Sequence, residues 1–265
     1  MAVSWVRKVT HVQDVAPWKR HVFWKGIRTG EEMDRLWDEY QEKQWAFFER
    51  LAPFVERAHR PYFVSLMYDS FILRLRHSGG KLTLTMNSLS AEHFAKDMDA
   101  LFGTTFYTAP WIVHLVAHNV TAFRMVKEDY YGRLRTKQVP VSVISGREVN
   151  DPQHPRPYYV RDFGRQMGDR LEWVVEMDDE TWLLVDCGRL TARDETRLAV
   201  TQRFGPTISQ VYDDLLGFRR SPLPLPHRGL RGHDNRGYVV ARVKSLGLTL
   251  EDVAEEIWEQ RRVRG

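Results

Sequence analysis

Cysteine is nearly absent from the sequence. Cys187 is the one cysteine among 265 residues, so no disulfide can form within the chain. A fold that does not depend on disulfides fits a reducing compartment, and the sequence therefore predicts a cytoplasmic protein. Cys187 ends the apolar run 182–187, which predicts a buried and unreactive thiol.

Long hydrophobic runs are also missing. No stretch approaches the roughly 18 consecutive apolar residues that a membrane-spanning helix needs. The first twenty residues include Lys8, Asp14, Lys19 and Arg20, which interrupt any apolar core of signal-peptide length. The sequence therefore predicts a soluble protein with no membrane partner.

Several common catalytic motifs do not occur. The sequence has no G-x-x-x-x-G-K-[ST] phosphate loop, no G-x-G-x-x-G after a predicted strand and no G-x-S-x-G nucleophile turn. We therefore predict no cofactor and assign no catalytic residue. An enzyme whose site is assembled from distant residues, such as Asp69, His114 and His118, stays open as an alternative.

The composition is that of a globular protein with an aromatic core. Hydrophobic residues make up 43% of the chain, charged residues 28% and aromatic residues 12%, with nine tryptophans. The 39 Lys and Arg residues exceed the 35 Asp and Glu residues by a formal net charge of +4. These charges are mixed along the chain, which permits an anionic partner without requiring one.

Alternating hydrophobicity predicts a sheet in the middle of the chain. Two runs with a period of two residues, 71–76 and 82–86, flank the pair Gly79–Gly80, which is typical of a β-hairpin. The β-branched residues between 105 and 126 favour one long strand or two short ones over a helix. Further strands are predicted at 139–144, 171–177, 181–187 and 196–203.

Helical periodicity predicts helices on either side of these strands. Apolar residues recur at helical spacing in 31–52, in the segment after Ser88 that ends at Gly103, in 208–216 and in 249–262. The sequence thus predicts an α+β fold, with mostly antiparallel sheets flanked by helices. We divide it into an N-terminal subdomain (1–128), a second β-rich subdomain (129–218), a Pro/Arg-rich linker (219–237) and a C-terminal helix (238–265).

One segment resembles a known sequence pattern. Tyr68-Asp69-Ser70-Phe71-Ile72, followed by 80–86, is similar to His-Asp-Ser/Ala-x-Ile/Val and then Gly-x-Leu-x-Leu-x-Leu in uncharacterised bacterial α+β proteins. Some of these look like immunity proteins that bind and neutralise toxins. The chain has Tyr68 where the pattern has His. The resemblance implies a sheet with flanking helices and a role in binding another protein.

Two histidines form the nearest approach to a metal site. His114 and His118 lie four residues apart, which on a helix places both imidazoles within reach of one ion. On a strand, four residues separate them by about 13 Å. The strand prediction therefore argues against a shared metal, and we assign no metal ligand. The pair Asp213–Asp214 is predicted to lie on the polar face of helix 208–216, in a structural or a solvated position.

Two C-terminal features are candidates for binding. The linker carries basic residues that suit phosphate recognition, namely Arg219, Arg220, Arg228, Arg231 and Arg236. The last helix has an apolar face that a partner or the protein's own body must bury, formed by Leu250, Val253, Ile257 and Trp258. The sequence therefore predicts a non-enzymatic protein that binds another protein, of the immunity or accessory type. The alternative is a nucleic-acid-associated protein that uses 219–236.

Overall fold

The computed structural model describes residues 4–16, 29–32, 35, 39, 51–64, 70–104, 111–129, 131–136, 158–177, 181–215 and 235–263. Within them the strands are β1 (Ser70–Ser78), β2 (Lys81–Asn87), β3 (Ile112–His118), β4 (Ala122–Glu128), β5 (Leu134–Thr136), β6 (Tyr158–Met167), β7 (Arg170–Met177), β8 (Thr181–Cys187) and β9 (Arg189–Asp194). The α-helices are α1 (Val12–Val15), α2 (Arg60–Val64), α3 (Leu89–Phe102), α4 (Glu195–Leu215), α5 (Asn235–Ser245) and α6 (Leu250–Arg262). Short 3₁₀ helices span Trp5–Arg7, Ala52–Phe54 and Arg57–His59.

The strands form one nine-stranded sheet in the order β5-β4-β8-β7-β6-β1-β2-β3-β9. Every neighbouring pair is antiparallel. Because the α-helices lie outside the sheet rather than between parallel strands, the predicted α+β class is confirmed.

The sheet is strongly curved, as the short connection between β8 and β9 shows. Gly188 alone joins β8 to β9, although five strands lie between them in the sheet order. A flat sheet would separate these strands by about 29 Å, whereas two residue steps span at most about 7 Å. The sheet therefore folds back on itself. The crease falls at the β1–β6 pairing, which consists of Ser70 with Tyr159 and Phe71 with Tyr158.

The crease divides the sheet into two limbs. The first limb is β1, β2, β3 and β9, and the second is β6, β7, β8, β4 and β5. The inward faces of both limbs and the helices share one apolar core, which includes Leu84, Leu115, Trp173, Val185, Phe94, Phe204 and Val211. A second core covers the outward face of the second limb, where the N-terminal segment packs its valines against Val126, Val174, Trp182 and Leu184. The first limb has no such cover among the described residues.

Helix α4 is broken at Gly205, whose φ of 81° lies in the left-handed region. The second arm starts at Pro206, a residue suited to the first turn of a helix. Glu256 of α6 approaches this start from outside. Its carboxylate accepts hydrogen bonds from the Thr207 backbone N–H at 2.9 Å and from the Thr207 hydroxyl at 2.5 Å. A side chain of another helix thus caps the second arm.

Helix α5 was not predicted, and it begins inside the predicted linker 219–237. It packs Val239 and Val243 into the inner core. Arg242 of this helix donates from Nε to Asp214 Oδ2 at 2.7 Å, with both side chains buried. Of the two roles predicted for Asp213 and Asp214, structural or solvated, the structural one is found: both are buried where α5 lies against the second arm of α4.

Other predictions need correction. The strand predicted at 196–203 is wrong, because this segment is the first arm of α4. Strand β9, which lies just before this segment and pairs with β3 at the edge of the sheet, was not predicted. Strands from 1–128 and 129–218 alternate in one sheet, so the proposed subdomain boundary does not separate two sheets. The predicted strand 139–144 lies outside the described residues, as does most of helix 31–52.

Several predictions are confirmed. Gly79 and Gly80 turn the β1–β2 hairpin with φ of 57° and 71°. The segment 105–126 supplies two strands, β3 and β4, rather than a helix. The strands at 171–177 and 181–187 are β7 and β8. Thr249 caps α6 by accepting from the backbone N–H of Asp252.

No helix in the described ranges has the length and apolarity required to cross a membrane.

Candidate functional site

The outward face of the first limb is polar and open to solvent. Along β2 and β3, buried residues alternate with partly exposed ones, so a distinct set of side chains points away from the core. We call this set the basic face. Its members are Arg74, Arg76 and Ser78 of β1, Lys81, Thr83 and Thr85 of β2, His114, Val116 and His118 of β3, and Arg189, Thr191 and Arg193 of β9.

The strand register arranges these side chains in rows that cross the sheet. The first row is Arg74, Thr85, His114 and Arg193. The second row is Arg76, Thr83, Val116 and Thr191. At the end of the face, Ser78 pairs with Lys81, and His118 pairs with Arg189. Neighbouring strands lie about 4.8 Å apart, so four strands make a face roughly 14 Å wide.

Positive charge dominates the basic face. Its exposed cations are Arg74, Arg76, Lys81, Arg189 and Arg193. Glu195, which follows β9, holds Arg193 at 2.5 Å; no salt bridge joins the other four cations to a carboxylate of the described residues. The five cations exceed the one carboxylate by four charges, as large an excess as the net charge of +4 over the whole chain. The excess is therefore concentrated on one surface, as in many polyanion-binding proteins.

His114 lies at the centre of a line of three polar groups. Its Nδ1 is 3.0 Å from the hydroxyl of Thr85, and its Nε2 lies 2.9 Å from Oε1 of Glu195 without the geometry of a hydrogen bond. The preceding residue fixes the position of Glu195, because Asp194 accepts from the indole N–H of buried Trp111 at 2.9 Å and from the hydroxyl of Tyr62 at 3.0 Å. The end of β9 is thereby anchored to the core, and the next side chain reaches across to His114.

His118 makes a second histidine–threonine contact, with its Nε2 2.7 Å from the hydroxyl of Thr191. Partial burial lowers the pKa of His118, and the positive charges of Arg189 and Lys81 lower it further. The imidazole is therefore held in its neutral form near pH 7, where it offers one donor and one acceptor.

The order hydroxyl, imidazole, carboxylate at Thr85, His114 and Glu195 is the order found in nucleophilic catalysis. Such chemistry also needs donors aimed at a developing oxyanion. Strands β2 and β3 are paired on both sides, so their backbone N–H groups are used within the sheet. What the face offers instead is guanidinium, ammonium, hydroxyl and imidazole groups, all of which bind the oxygens of phosphate or carboxylate.

The two histidines do not converge on one point. His114 is held by Thr85 and Glu195, whereas His118 is held by Thr191 at the other end of β3. The prediction that the strand keeps them apart is confirmed. Across the described residues, no group of three His, Cys, Asp or Glu side chains is placed to hold a metal ion.

The residues predicted to bind a partner are distributed differently. Arg219, Arg220, Arg228 and Arg231 lie outside the described residues, as does Asp69. Arg236 is exposed in the first turn of α5.

The apolar face of the last helix is mostly used by the protein itself. Val253 and Ile257 are 0% and 2% exposed in the inner core, and Leu250 packs against it. The sequence left open whether a partner or the protein's own body covers this face, and α6 packs it against α4. Trp258 keeps 59% of its surface exposed.

Sequence reasoning missed the basic face. The signal was present in single strands: Arg74 and Arg76 alternate with apolar residues, and Arg189, Thr191 and Arg193 do so in β9. Such alternation identifies which side chains leave the core. It does not tell which strands are neighbours, and the β3–β9 pairing joins segments about seventy residues apart.

No known family model, curated protein or solved structure matches this chain.

Proposed function

We propose that this protein binds the sugar–phosphate backbone of nucleic acid with its basic face. The observation that carries the proposal is the concentration of Arg74, Arg76, Lys81 and Arg189 on one exposed sheet surface with no carboxylate partner among the described residues. Exposed cations held together without counter-charges repel one another, and an array of phosphates relieves that repulsion.

The interleaved hydroxyls and imidazoles support the same partner. Thr85 lies between Arg74 and His114, and Thr83 lies between Arg76 and Val116; both threonines are partly exposed. Hydroxyl, imidazole and guanidinium groups contact phosphate oxygens in protein–nucleic acid complexes, where they position the backbone without reading the bases. The face thus combines long-range attraction with short-range hydrogen bonding.

The residue types on the basic face also limit the kind of recognition. No Phe, Tyr or Trp is among its twelve members. Sequence-specific binding of single strands depends on aromatic rings that stack on bases. We therefore expect binding that tolerates many sequences and weakens steeply with salt.

The test measures binding of the full-length protein to a fluorescein-labelled 20-nucleotide single-stranded DNA, the same RNA and a duplex, by anisotropy at several salt concentrations. The face variant carries Arg74→Gln, Arg76→Gln, Arg189→Gln and Arg193→Gln. Each lost phosphate contact lowers the slope of log affinity against log salt by about 0.7 for single strands or about 0.9 for a duplex. Four lost contacts should therefore lower the slope by roughly 3.

A matched variant controls for net charge. It removes four exposed cations outside the first limb with Arg57→Gln, Arg133→Gln, Lys244→Gln and Arg262→Gln. The proposal expects this control to keep the wild-type salt slope. Equal losses in both variants would mean that the overall charge acts, not the basic face, and absence of wild-type binding at low salt would overturn the proposal outright.

Binding of another protein, of the immunity or accessory type, is the second candidate function. The observation that favours it is Trp258, a large aromatic side chain left 59% exposed beside buried Ile257. Tryptophan is enriched where interfaces gain most of their binding energy. A protein that co-purifies with the wild type in fixed stoichiometry, and is lost from Trp258→Ala, would support this function. Unchanged recovery with Trp258→Ala would remove the role of this residue.

A further inference from the structure

A cavity of about 290 Å³ lies at the corner where the chain passes from β3 to β4. The 3₁₀ helix Trp5–Arg7 and the end of β1 close it on the other sides. Its apolar walls include Val120 and Phe123, and its polar walls include Arg7, His77 and Arg124. None of its lining residues is acidic, and none belongs to the basic face.

Arg124 is the unusual member of this cavity. One of its terminal nitrogens, Nη2, donates to the backbone carbonyl of Val9. Its Nε is shielded from solvent and has no hydrogen-bond partner in the described ranges. Partial burial lowers the pKa of Arg124, which reports the cost of withdrawing the guanidinium from water. Arg124 is only partly buried, and an anion in the cavity would compensate for the part of its hydration that the guanidinium has lost.

The opposite wall is aromatic. The rings of His77 and Phe123 lie with their centroids 5.0 Å apart and their planes inclined by 56°. A flat ring of a ligand can pack against such a pair, while His77 and Arg7 remain available to hydrogen-bond its polar substituent. The cavity volume is at the lower end of small-molecule sites, which suits a molecule of one ring.

We propose that this cavity binds a small aromatic carboxylate of single-ring size, with the carboxylate at Arg124 and Arg7 and the ring against Phe123 and His77. The carboxylate supplies the counter-charge that Arg124 lacks, and the ring covers the apolar wall. The site is independent of the nucleic-acid proposal, because the two share no residue.

The test is isothermal titration calorimetry of the full-length protein with benzoate. Benzamide has the same shape without the charge, and inorganic phosphate has the charge without the ring. The proposal expects saturable binding of benzoate, at least tenfold weaker binding of benzamide and weaker binding of phosphate. Equal binding of benzoate and phosphate would overturn the assignment of the ring, and equal binding of benzoate and benzamide would overturn that of the carboxylate.

Variants assign the binding to this cavity. Arg7→Gln changes an exposed side chain, so it should preserve the fold and weaken benzoate binding several-fold. Arg124→Gln should weaken it at least tenfold, and Arg124→Lys should restore part of the loss if the charge is what matters. Arg57→Gln, on a helix away from the cavity, is the matched control. The proposal fails if benzoate does not bind, or if Arg7→Gln and Arg57→Gln have equal effects.

Discussion

The buried ion pair between Arg242 and Asp214 allows a sharp test of how α5 is attached. The two side chains are 8% and 2% exposed, and Nε lies 2.7 Å from Oδ2. Arg242→Met keeps the length of the side chain but leaves the Asp214 carboxylate without its cation. Leaving one buried charge uncompensated costs about 3–5 kcal/mol of unfolding free energy. We therefore expect Arg242→Met to lower the unfolding midpoint by roughly 6–20 °C.

The double variant distinguishes the cost of a lone charge from the value of the pair. Arg242→Met with Asp214→Leu removes both charges and fills the space with apolar atoms. Replacing a whole buried pair in this way is often neutral or stabilising, so the double variant should be more stable than Arg242→Met by about 3 kcal/mol or more. Both variants also lose the hydrogen bond that Arg242 Nη1 donates to the Ser245 hydroxyl at 2.9 Å, so this loss cancels when the two variants are compared; the hydroxyl still donates to the carbonyl of residue 242 at 2.7 Å.

Urea unfolding followed by tryptophan fluorescence measures these differences. The comparison is the exposed pair Arg135–Asp129, at 75% and 23% exposure, where Arg135→Met should cost no more than about 1 kcal/mol. The reasoning would be refuted if the destabilisation of the double variant equalled the sum of those caused by Arg242→Met and Asp214→Leu separately. That result would show that the contacts of each side chain matter rather than their opposite charges.

Three further predictions concern single groups. Burial raises the pKa of the Cys187 thiol to about 12, so a thiol reagent at pH 8 should label it after unfolding and not before, and stability should fall as the pH rises above 9.0, the ordinary pKa of a thiol, because only the unfolded thiol ionises. Glu256→Gln should lower the unfolding free energy by about 1–2 kcal/mol, because it weakens the cap on the second arm of α4; Gly205→Ala should lower it more in the same urea assay, since its Cβ would lie 2.4 Å from Oε1 of Glu256 at a φ of 81°. The lowered pKa of His118 means that the unfolded state binds the proton more readily, so stability should be lost as the pH falls through 6.5, the ordinary pKa of an imidazole, and His118→Gln should reduce that loss in unfolding curves at pH 7.5 and pH 5.

Local sequence patterns correctly predicted the elements that are stabilised mainly by residues close to one another in the sequence. The β1–β2 hairpin follows from alternation around Gly79–Gly80, and its register needs no distant information. The end of α6 at which Thr249 caps the helix is likewise encoded within four residues. These elements were predicted because turn chemistry, period and capping agree there.

The errors occurred where tertiary contacts decide. The segment 196–203 contains β-branched residues that favour a strand, yet Glu195 begins a helix there. Strand β9, which directly precedes this helix, is the one that pairs with β3, and that pairing joins distant parts of the chain. Helix α5 begins with Asn235, Arg236 and Gly237, which show no apolar periodicity, and its attachment depends on the buried Asp214 of another helix. Neither the pairing of β9 with β3 nor the contact of α5 with Asp214 can be recognised from a short stretch of sequence.

The same distinction explains why the basic face could not be found from sequence. The row that contains Thr85 and His114 spans β2 and β3, which are separated by a whole helix, and it is completed by Arg193 from a strand far along the chain. Each strand alone looks like an ordinary half-exposed strand. The concentration of charge arises only when the sheet is assembled.

The outward faces of the two limbs carry different kinds of residue, and this difference supports a binding role for the outward face of the first limb. On the second limb, the outward positions include Val174, Trp182 and Leu184, and the N-terminal segment covers them. On the first limb, the equivalent positions carry arginine, lysine, threonine and histidine. Covering these with an apolar segment would remove several cations from water at a cost of several kcal/mol for each ion. Apolar contacts with the described elements of the chain cannot meet that cost, whereas a polyanion replaces the lost hydration with hydrogen bonds and opposite charge. The face is therefore suited to solvent or to an anionic partner, and the salt dependence of binding distinguishes these two states.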